Sequence, residues 1–384
     1  SSTWCNSKMK PNRRYLNLGT DFWACVELLT QRYREATRSA ENIEVPDKDI
    51  IAQYLNKHGI LDRHIVKPEE HSEEGHLGNS IDFSSKSGNS GAAELISRYF
   101  REHMPPDKNM LAQKEKVWDC LYDMIHGGHR VVDNNRSKKL SLDEIEYYFY
   151  DLGLDTTNIK TKQGPTRLGQ DLVSYIEMRA KMVDMIQHSL MDYAESRGRF
   201  WQLYWDTSST IEEKEIPVPK NKQSGNMKQN ALFTGMINML IHRNKEGMSC
   251  NYDPQQSVVI TKDGMPAQVF SRRVDGAFPD TWNPEGFWEI KEYYYTTTFG
   301  SKVNDAIFEA RLDGFENRMC RSDHGINVDH IFFIDGYFTW WLKGRKTLMR
   351  VLDIMNMGLI DEVVVGKEIF HKVPHYLEKW KLNR

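Results

Sequence analysis

The chain has 384 residues, and 51 lysines and arginines against 54 aspartates and glutamates give it a formal net charge of −3. Hydrophobic residues make up 39% and aromatic residues 11%, which excludes a wholly disordered chain and provides for more than one buried core. Near-neutral charge neither requires nor excludes a nucleic-acid partner, because a local basic groove can lie on a neutral protein. No stretch of about eighteen consecutive apolar residues occurs, so we expect no membrane span.

The cysteines and the N-terminal residues indicate the compartment. Five cysteines are scattered along the chain without C-x-x-C spacing. This pattern predicts neither a disulfide framework nor a zinc ribbon. The first twenty residues contain basic side chains but no apolar core of the kind that a secretory signal requires. We therefore expect a reduced, cytoplasmic protein.

Residues 1–210 are predicted to form a mostly helical region. Apolar residues at helical spacing predict helices over residues 16–33 and 166–205. Ser141 and Glu144 form a capping-box pattern before another amphipathic stretch. A polar, Gly/Ser-rich stretch over residues 68–91 predicts a loop. This region has two alternative roles, DNA recognition or dimerisation, and the first rests on two helix-turn-helix-like stretches at residues 48–66 and 141–160.

Residues 211–228, with two prolines, a glycine and several lysines, predict a linker to a second region at 229–384. Periodicity there predicts helices alternating with strands, and a turn at 262–264 predicts a hairpin. The order is a helix (230–242), two strands (257–261, 267–278), a strand (287–297), a helix (304–318), a strand (330–334), a helix (341–355) and a strand (360–365). The final strand–helix–strand predicts a partly parallel sheet, so we expect an α/β domain in a chain that is α+β overall.

Three charged residues on neighbouring predicted strands point to chemistry. Asp275 lies near the end of one strand, and Glu289 and Lys291 lie on the next. Residues i and i+2 of a strand face the same side, so Glu289 and Lys291 should point together, with Asp275 brought beside them by a hairpin. Two adjacent carboxylates repel unless a cation lies between them, and oxygen ligands suit Mg²⁺. Such an ion, assisted by Lys291, could promote hydrolysis of a phosphodiester, and this is the reaction that the three residues predict.

The acid followed by Glu289-x-Lys291 on the next strand resembles the PD-(D/E)XK nuclease superfamily, over roughly residues 226–366. A preceding helix and a following strand–helix–strand are in that family's order. Within it, a helical region joined to one nuclease core is most similar to type II restriction endonucleases. The resemblance implies a prokaryotic, cytoplasmic enzyme of a restriction system, with one or two Mg²⁺ ions per active site and double-stranded DNA as substrate.

The resemblance also implies roles for individual residues. Asp275 and Glu289 would bind the metal together with the backbone carbonyl of Ile290, and Lys291 would be the catalytic lysine. The literal Pro-Asp pair is Pro279-Asp280, in the predicted turn, and Asp280 is the alternative to Asp275. Many family members place a carboxylate on the preceding helix, where this chain offers only amides such as Gln229, which could hold a metal-bound water.

Weaker candidates for DNA contact surround this motif. Arg272 and Arg273 precede the acidic strand, Lys228 lies in the linker, and Tyr293 extends the strand that carries Lys291. These side chains could bind phosphates. A solvated linker explains Lys228 equally well, and Tyr293 fits plain packing on a sheet.

Glu-x-Lys alone is a weak signal, because it also occurs as Glu212-x-Lys214 in the linker, and a salt bridge on a sheet face would explain Glu289 and Lys291 without catalysis. We expect a site-specific endonuclease acting as a homodimer, because a twofold dimer is the simplest way to cut both strands of a palindrome. The alternatives are a junction resolvase or repair nuclease of the same fold, and a non-catalytic DNA-binding protein with a residual nuclease fold.

Overall fold

The chain forms a mixed α/β structure in which helices surround small sheets. A computed structural model describes residues 9–32, 137, 139–191, 193–220, 230–293 and 301–383. No helix in these ranges has the length and apolar character to cross a bilayer. The stretches 48–66 and 68–91 lie outside the described residues.

Three helices form the N-terminal part of the described structure: α1 (Thr20–Arg32), α2 (Leu142–Asp151) and α3 (Arg167–Ile186). The capping box predicted before α2 is confirmed, since Glu144 N donates to Ser141 Oγ at 3.1 Å and Ser141 N donates to Glu144 Oε2 at 2.8 Å. The three helices bury a shared core rich in aromatic rings.

The stretch 141–160 is not a helix-turn-helix. After α2 the chain forms a short 3-10 turn at Thr156–Asn158 and a pair of two-residue strands, and the next helix begins only at Arg167. A helix-turn-helix needs a second helix after three or four residues. The resemblance failed because a glycine after a helix marks its end but does not determine which element the chain forms next.

Helix α4 (Tyr193–Ser208) packs against α5 (Leu232–Asn244), on the far side of the predicted linker. The described part of that linker is packed as well: Ile216 is buried in the same core, and Asn238 Nδ2 donates to Pro217 O at 3.0 Å. Residues 211–220 therefore join one continuous core instead of separating two.

A hairpin follows α5 as predicted, with β1 (Val259–Lys262) antiparallel to β2 (Met265–Val269). Asp263 and Gly264 form its turn with positive φ angles of 52° and 78°. The strand predicted over 267–278 is wrong, because the chain leaves β2 after Val269 and forms a separate strand only at Gly276. Phe270 and Val274 are buried within this break, which explains why its pattern resembled a continuous strand.

The central sheet has four strands: β3 (Gly276–Phe278), β4 (Gly286–Lys291), β5 (Asp329–Ile334) and β6 (Glu362–Val365). They lie in the order β3-β4-β5-β6, with β3 antiparallel to β4 and the other pairs parallel. Helix α6 (Ser301–His324) connects β4 to β5, and α7 (Arg345–Asn356) connects β5 to β6. The predicted parallel strand–helix–strand is confirmed. Strand β4 ends at Lys291, earlier than predicted, and residues 294–297 lie outside the described residues.

The two faces of the sheet pack against different helices. Trp288, Ile290 and Phe333 share a core with α5 and the final helix α8 (Ile369–Leu382). Phe332 and Ile334, which alternate with them, share a core with α6 and α7. Because side chains alternate along a strand, Glu289 and Lys291 lie on the α6 face.

Two glycines allow the close approach of tryptophan rings on the opposite face. A Cβ atom at Gly276 would lie 2.1 Å from the ring of Trp288, and one at Gly286 would lie 2.1 Å from the ring of Trp380. The two rings stack at 6.1 Å with an interplanar angle of 7°. This packing holds β3 and β4, which carry the candidate site, firmly against α8.

Candidate functional site

The β3–β4 pairing brings Asp275 and Glu289 together. Gly276 pairs with Trp288, so Asp275, immediately before β3, lies opposite Glu289. Asp275 N donates to Trp288 O at 3.1 Å, and Ile290 N donates to Asp275 Oδ2 at 2.8 Å. Asp275 and Glu289 therefore lie opposite each other on neighbouring segments of backbone.

Glu289 and Lys291 point together, as their spacing predicted. Glu289 is fully buried, and Lys291 Nζ lies 3.2 Å from Glu289 Oε2. Burial lowers the pKa of Lys291, but the negative charges of Glu289, Asp275 and Glu309 outweigh it and raise the pKa above its ordinary value. One ammonium group thus interacts with carboxylates from three elements.

Arg272 turns into this group instead of facing outward. Its Nη1 atom lies 2.6 Å from Glu289 Oε1 and 2.5 Å from Asp313 Oδ2. Burial lowers the pKa of Arg272, but Glu289, Asp313 and Glu309 together raise it above the ordinary value. Arg272 was predicted to contact DNA; the structure places it at the centre of the carboxylates.

The loop that carries Arg272 is held by α6. Ser271 N donates to Glu316 Oε1 at 3.1 Å, and the hydroxyl of Ser271 also donates to this carboxylate. Glu316 is buried. Because Ser271 is anchored, its neighbour Arg272 is directed towards Glu289.

Helix α6 adds two carboxylates that the sequence reasoning missed. Glu309 contacts the ammonium of Lys291, and its Oε2 atom lies 3.6 Å from Arg272 Nη2. Asp313, one turn later, is buried, and burial raises its pKa to about 8 although the nearby Arg272 lowers it. The acids at 309, 313 and 316 are spaced for one helix face, and this was the signal available in the sequence.

These six residues, called here the Glu289 pocket, contain more negative than positive groups: Arg272, Asp275, Glu289, Lys291, Glu309 and Asp313. Two cations stand against four carboxyl groups, one of which, Asp313, has its pKa raised to about 8 by burial. Asp313 Oδ1 is buried and has no hydrogen-bond partner among the described residues. Among those residues no group of three His, Cys, Asp or Glu side chains is arranged to hold a metal ion.

Asp280, the alternative to Asp275, lies away from the Glu289 pocket. It follows β3 at the end where Phe278 pairs with Gly286, whereas Glu289 is at the other end of the hairpin. Its exposed carboxylate accepts from Asn251 Nδ2 at 2.8 Å and from Thr281 N at 2.7 Å, which lowers its pKa. Of the two aspartates, the structure brings only Asp275 together with Glu289 and Lys291.

Among the remaining candidates, Tyr293 lies close enough to the pocket for Lys291, Glu309 and Asp275 to affect its pKa, which burial raises. Arg273 is exposed and donates to Gln255 Oε1 at 3.1 Å. Tyr293 is half-buried, and its ring packs against that of Trp340 at 5.8 Å, in line with the packing interpretation. Lys228 and Gln229 lie outside the described residues.

Two family models match separate parts of the chain. The family described as DUF7687, a domain of unknown function, matches residues 181–380, and the family described as DUF7690, also a domain of unknown function, matches residues 9–77. The first match contains every residue of the Glu289 pocket. No curated protein and no solved structure matches the chain.

Proposed function

The chain belongs to the DUF7687 family, and from the geometry of the Glu289 pocket we propose that it is a Mg²⁺-dependent endonuclease that hydrolyses phosphodiester bonds in double-stranded DNA. The observation that carries the proposal is the meeting of Asp275, Glu289 and Lys291. One charged interaction could be chance, but a cross-strand acid pair with a buried lysine on the same face is the arrangement that this chemistry needs.

The donor set fits a hard divalent cation. Asp275 and Glu289 offer carboxylate oxygens, and the surplus of carboxylates over cations leaves negative charge to be neutralised. Asp313 adds a buried oxygen, Oδ1, that has no hydrogen-bond partner among the described residues, and burial raises the pKa of this carboxyl group. Arg272 occupies Glu289 Oε1, so a cation that binds this oxygen competes with Arg272.

In the proposed reaction each residue has a distinct task. Asp275 and Glu289, with the carbonyl of Ile290, would hold the ion, which when bound would lower the pKa of water and stabilise the leaving oxyanion. Lys291 would orient the attacking water or neutralise charge that develops on phosphorus. Arg272, with its planar fork of donors, would move from Glu289 to a phosphate oxygen of the DNA.

Restriction-type cleavage at a defined site is the finer part of the proposal. It rests on the sequence resemblance, together with the helix–strand order around the Glu289 pocket. Side chains that read bases would have to come from outside the central sheet. A twofold dimer would place two pockets on opposite DNA strands.

Incubation of supercoiled plasmid with the protein and Mg²⁺, followed by sequencing of the ends, tests the proposal. We expect discrete fragments with a common end sequence. Asp275→Asn should abolish cleavage while DNA binding in Ca²⁺ persists. Asp280→Asn is the matched control, because it changes the neighbouring acid outside the pocket and should cleave like the wild type.

The possible failures are distinguishable. Cleavage confined to branched or damaged DNA would identify the junction resolvase or repair nuclease instead. Full cleavage by Asp275→Asn would remove the Glu289 pocket from the mechanism. Loss of cleavage in Asp280→Asn with retention in Asp275→Asn would transfer the role to Asp280.

One observation favours the non-catalytic alternative. Both carboxylate oxygens of Glu289 are bonded, Oε1 to Arg272 and Oε2 to Lys291, as expected for a structural salt-bridge network. If that network is the whole role of the pocket, titration calorimetry with Mg²⁺ and Mn²⁺ should give no heat of binding in the wild type or in Arg272→Gln. Binding that strengthens in Arg272→Gln would show competition for Glu289 and exclude this alternative.

A further inference from the structure

Helix α6 has a second face, which carries basic and apolar side chains, whereas the face that lines the Glu289 pocket carries carboxyl groups. Ile307, Arg311, Phe315 and Arg318 follow one another at helical spacing on it. Together with α1 and α7 they enclose a cavity of about 280 Å³. The cavity lies where residues matched by the DUF7690 family meet residues matched by the DUF7687 family.

Three arginines line this cavity, and their positive charge is only partly compensated. Arg311 Nη1 pairs with Glu27 Oε2 at 3.3 Å. Arg318 donates to the carbonyl of Met357, a neutral group. Burial, with Arg321 alongside, lowers the pKa of Arg318, as happens when a guanidinium has too little negative charge around it.

Arg350 is the third arginine, and within the described ranges it makes no hydrogen bond or ion pair. It interacts electrostatically with Asp353, which also lines the cavity and is already paired with Arg179 Nη1 at 2.8 Å. Arg350 is half-buried, so its charge is partly withdrawn from water without a partner. Such a group gains more from an anionic ligand than a fully solvated arginine does.

Apart from Thr20 and the two carboxylates of Glu27 and Asp353, which face arginines, the rest of the lining is apolar. Trp23 and Val26 of α1 and Ile354 of α7 are buried at its wall, and the ring of Phe315 lies at the more exposed side. A cavity of about 280 Å³ is small for a ligand site, and limits its occupant to roughly the size of a mononucleotide.

We propose that this cavity binds a small phosphate monoester with an aromatic body, the phosphate lying against Arg311, Arg318 and Arg350 and the body against the apolar wall of α1. A phosphate dianion fits three guanidinium groups better than a single carboxylate does, because each arginine can bind two of its oxygens. The site is separate from the Glu289 pocket and needs neither metal nor DNA, so the inference stands independently of the nuclease activity.

Titration calorimetry of the whole chain with phenyl phosphate and with adenosine 5′-monophosphate tests the proposal. We expect at least one of these probes to bind at a stoichiometry of one per chain. Inorganic phosphate, which lacks the body, and adenosine, which lacks the charge, should each bind at least about tenfold more weakly. Absence of binding by both esters, or equal binding of inorganic phosphate, would overturn the proposal.

Two variants locate the binding. Arg350→Gln removes the charge that has no partner and should weaken ester binding about tenfold or more. Ala24→Phe places a ring at an exposed position of the lining and should block the cavity without disturbing a buried residue. Arg243→Gln, at an exposed arginine outside the lining, is the matched control and should bind like the wild type. Unchanged affinity in both Arg350→Gln and Ala24→Phe would place the ligand elsewhere and reject the cavity.

Discussion

Two Glu-x-Lys pairs occur in this chain, in opposite surroundings. Glu289 and Lys291 lie on strand β4, where Glu289 is fully buried and the pair is separated by 3.2 Å. Glu212 and Lys214 lie at a 3-10 turn, where their side chains are 69% and 75% exposed and the pair is separated by only 2.6 Å. The shorter ion pair is the one that water surrounds.

The difference teaches that neither the motif nor the distance identifies a site. Water screens the exposed pair, so its attraction contributes little. The buried pair is surrounded by Arg272, Asp275, Glu309 and Asp313, and burial together with these charges shifts the pKa values of Lys291 and Asp313. What distinguishes the two pairs is the surplus of carboxylates gathered around one of them.

The largest expected effect is on the rate of DNA cleavage, and it distinguishes Lys291 from Lys214. If the Glu289 pocket is catalytic, Lys291→Ala should reduce the rate of plasmid cleavage by about 10²–10³-fold, because a donor aimed at the reacting phosphate is lost. Lys214→Ala should leave the rate unchanged. The rates are measured at saturating Mg²⁺. A comparable loss of rate in both variants would show that the surroundings of the two Glu-x-Lys pairs do not decide which lysine serves catalysis.

A third ion pair gives the structural reference for these two. Arg179 of α3 and Asp353 of α7 form a buried pair at 2.8 Å, to which Tyr175 and Thr30 add hydrogen bonds. Arg179→Met should lower the free energy of unfolding by about 3–5 kcal/mol, because it leaves Asp353 buried without its cation. Urea unfolding measures this, with Arg243→Met as an exposed control. A change below about 1 kcal/mol would mean that the network is not fully formed in solution.

The pH dependence of stability tests whether the carboxyl groups around Glu289 and Lys291 titrate differently from exposed ones. The folded protein raises the pKa of Asp313 to about 8, so it keeps a proton that the unfolded chain has lost. Its contribution therefore makes the free energy of unfolding fall as the pH rises from about 4 towards 8. Asp313→Asn removes this contribution, so urea unfolding in metal-free buffer should show a shallower fall than in the wild type. Parallel curves would indicate that Asp313 titrates normally.

The smallest effect is expected at the exposed pair. Glu212→Gln should change the free energy of unfolding by less than about 0.5 kcal/mol, since solvated ion pairs are worth little. The same urea unfolding experiment measures it. A larger loss would mean that the turn at Glu213–Glu215 depends on this charge, and the pair would no longer serve as a neutral reference.

Much of the C-terminal half could be predicted from the sequence. Apart from the predicted strand 267–278, which is two strands, helices and strands from residue 230 to 365 occur in the predicted order, because periods of 3.6 and 2 are local properties that survive in a packed structure. The meeting of Asp275 with Glu289 followed from the same local logic, since a hairpin sets its own register. The chemical role assigned to them stays a prediction.

The residues that complete the Glu289 pocket were not predicted, because they come from distant parts of the chain. Glu309 and Asp313 are twenty or more residues from Glu289, and their spacing shows only that they share a helix face. Which way that face turns depends on how α6 packs on the sheet. Arg272 was assigned to the DNA-facing side for a similar reason, since the break after β2 that turns it inward is held by Glu316.

The sequence by itself determined the element order, the capping of α2 and the hairpin that aligns Asp275 with Glu289, because each depends on side-chain periodicity and turn chemistry over short distances. Only the tertiary structure decided the rest. Packing of α6 against β4 gathered carboxylates at one of its faces, while packing against α1 and α7 brought two arginines of its other face together with Arg350 of α7. Electrostatic energy depends on distance in space, and distance along the chain carries almost no information about it once helices pack.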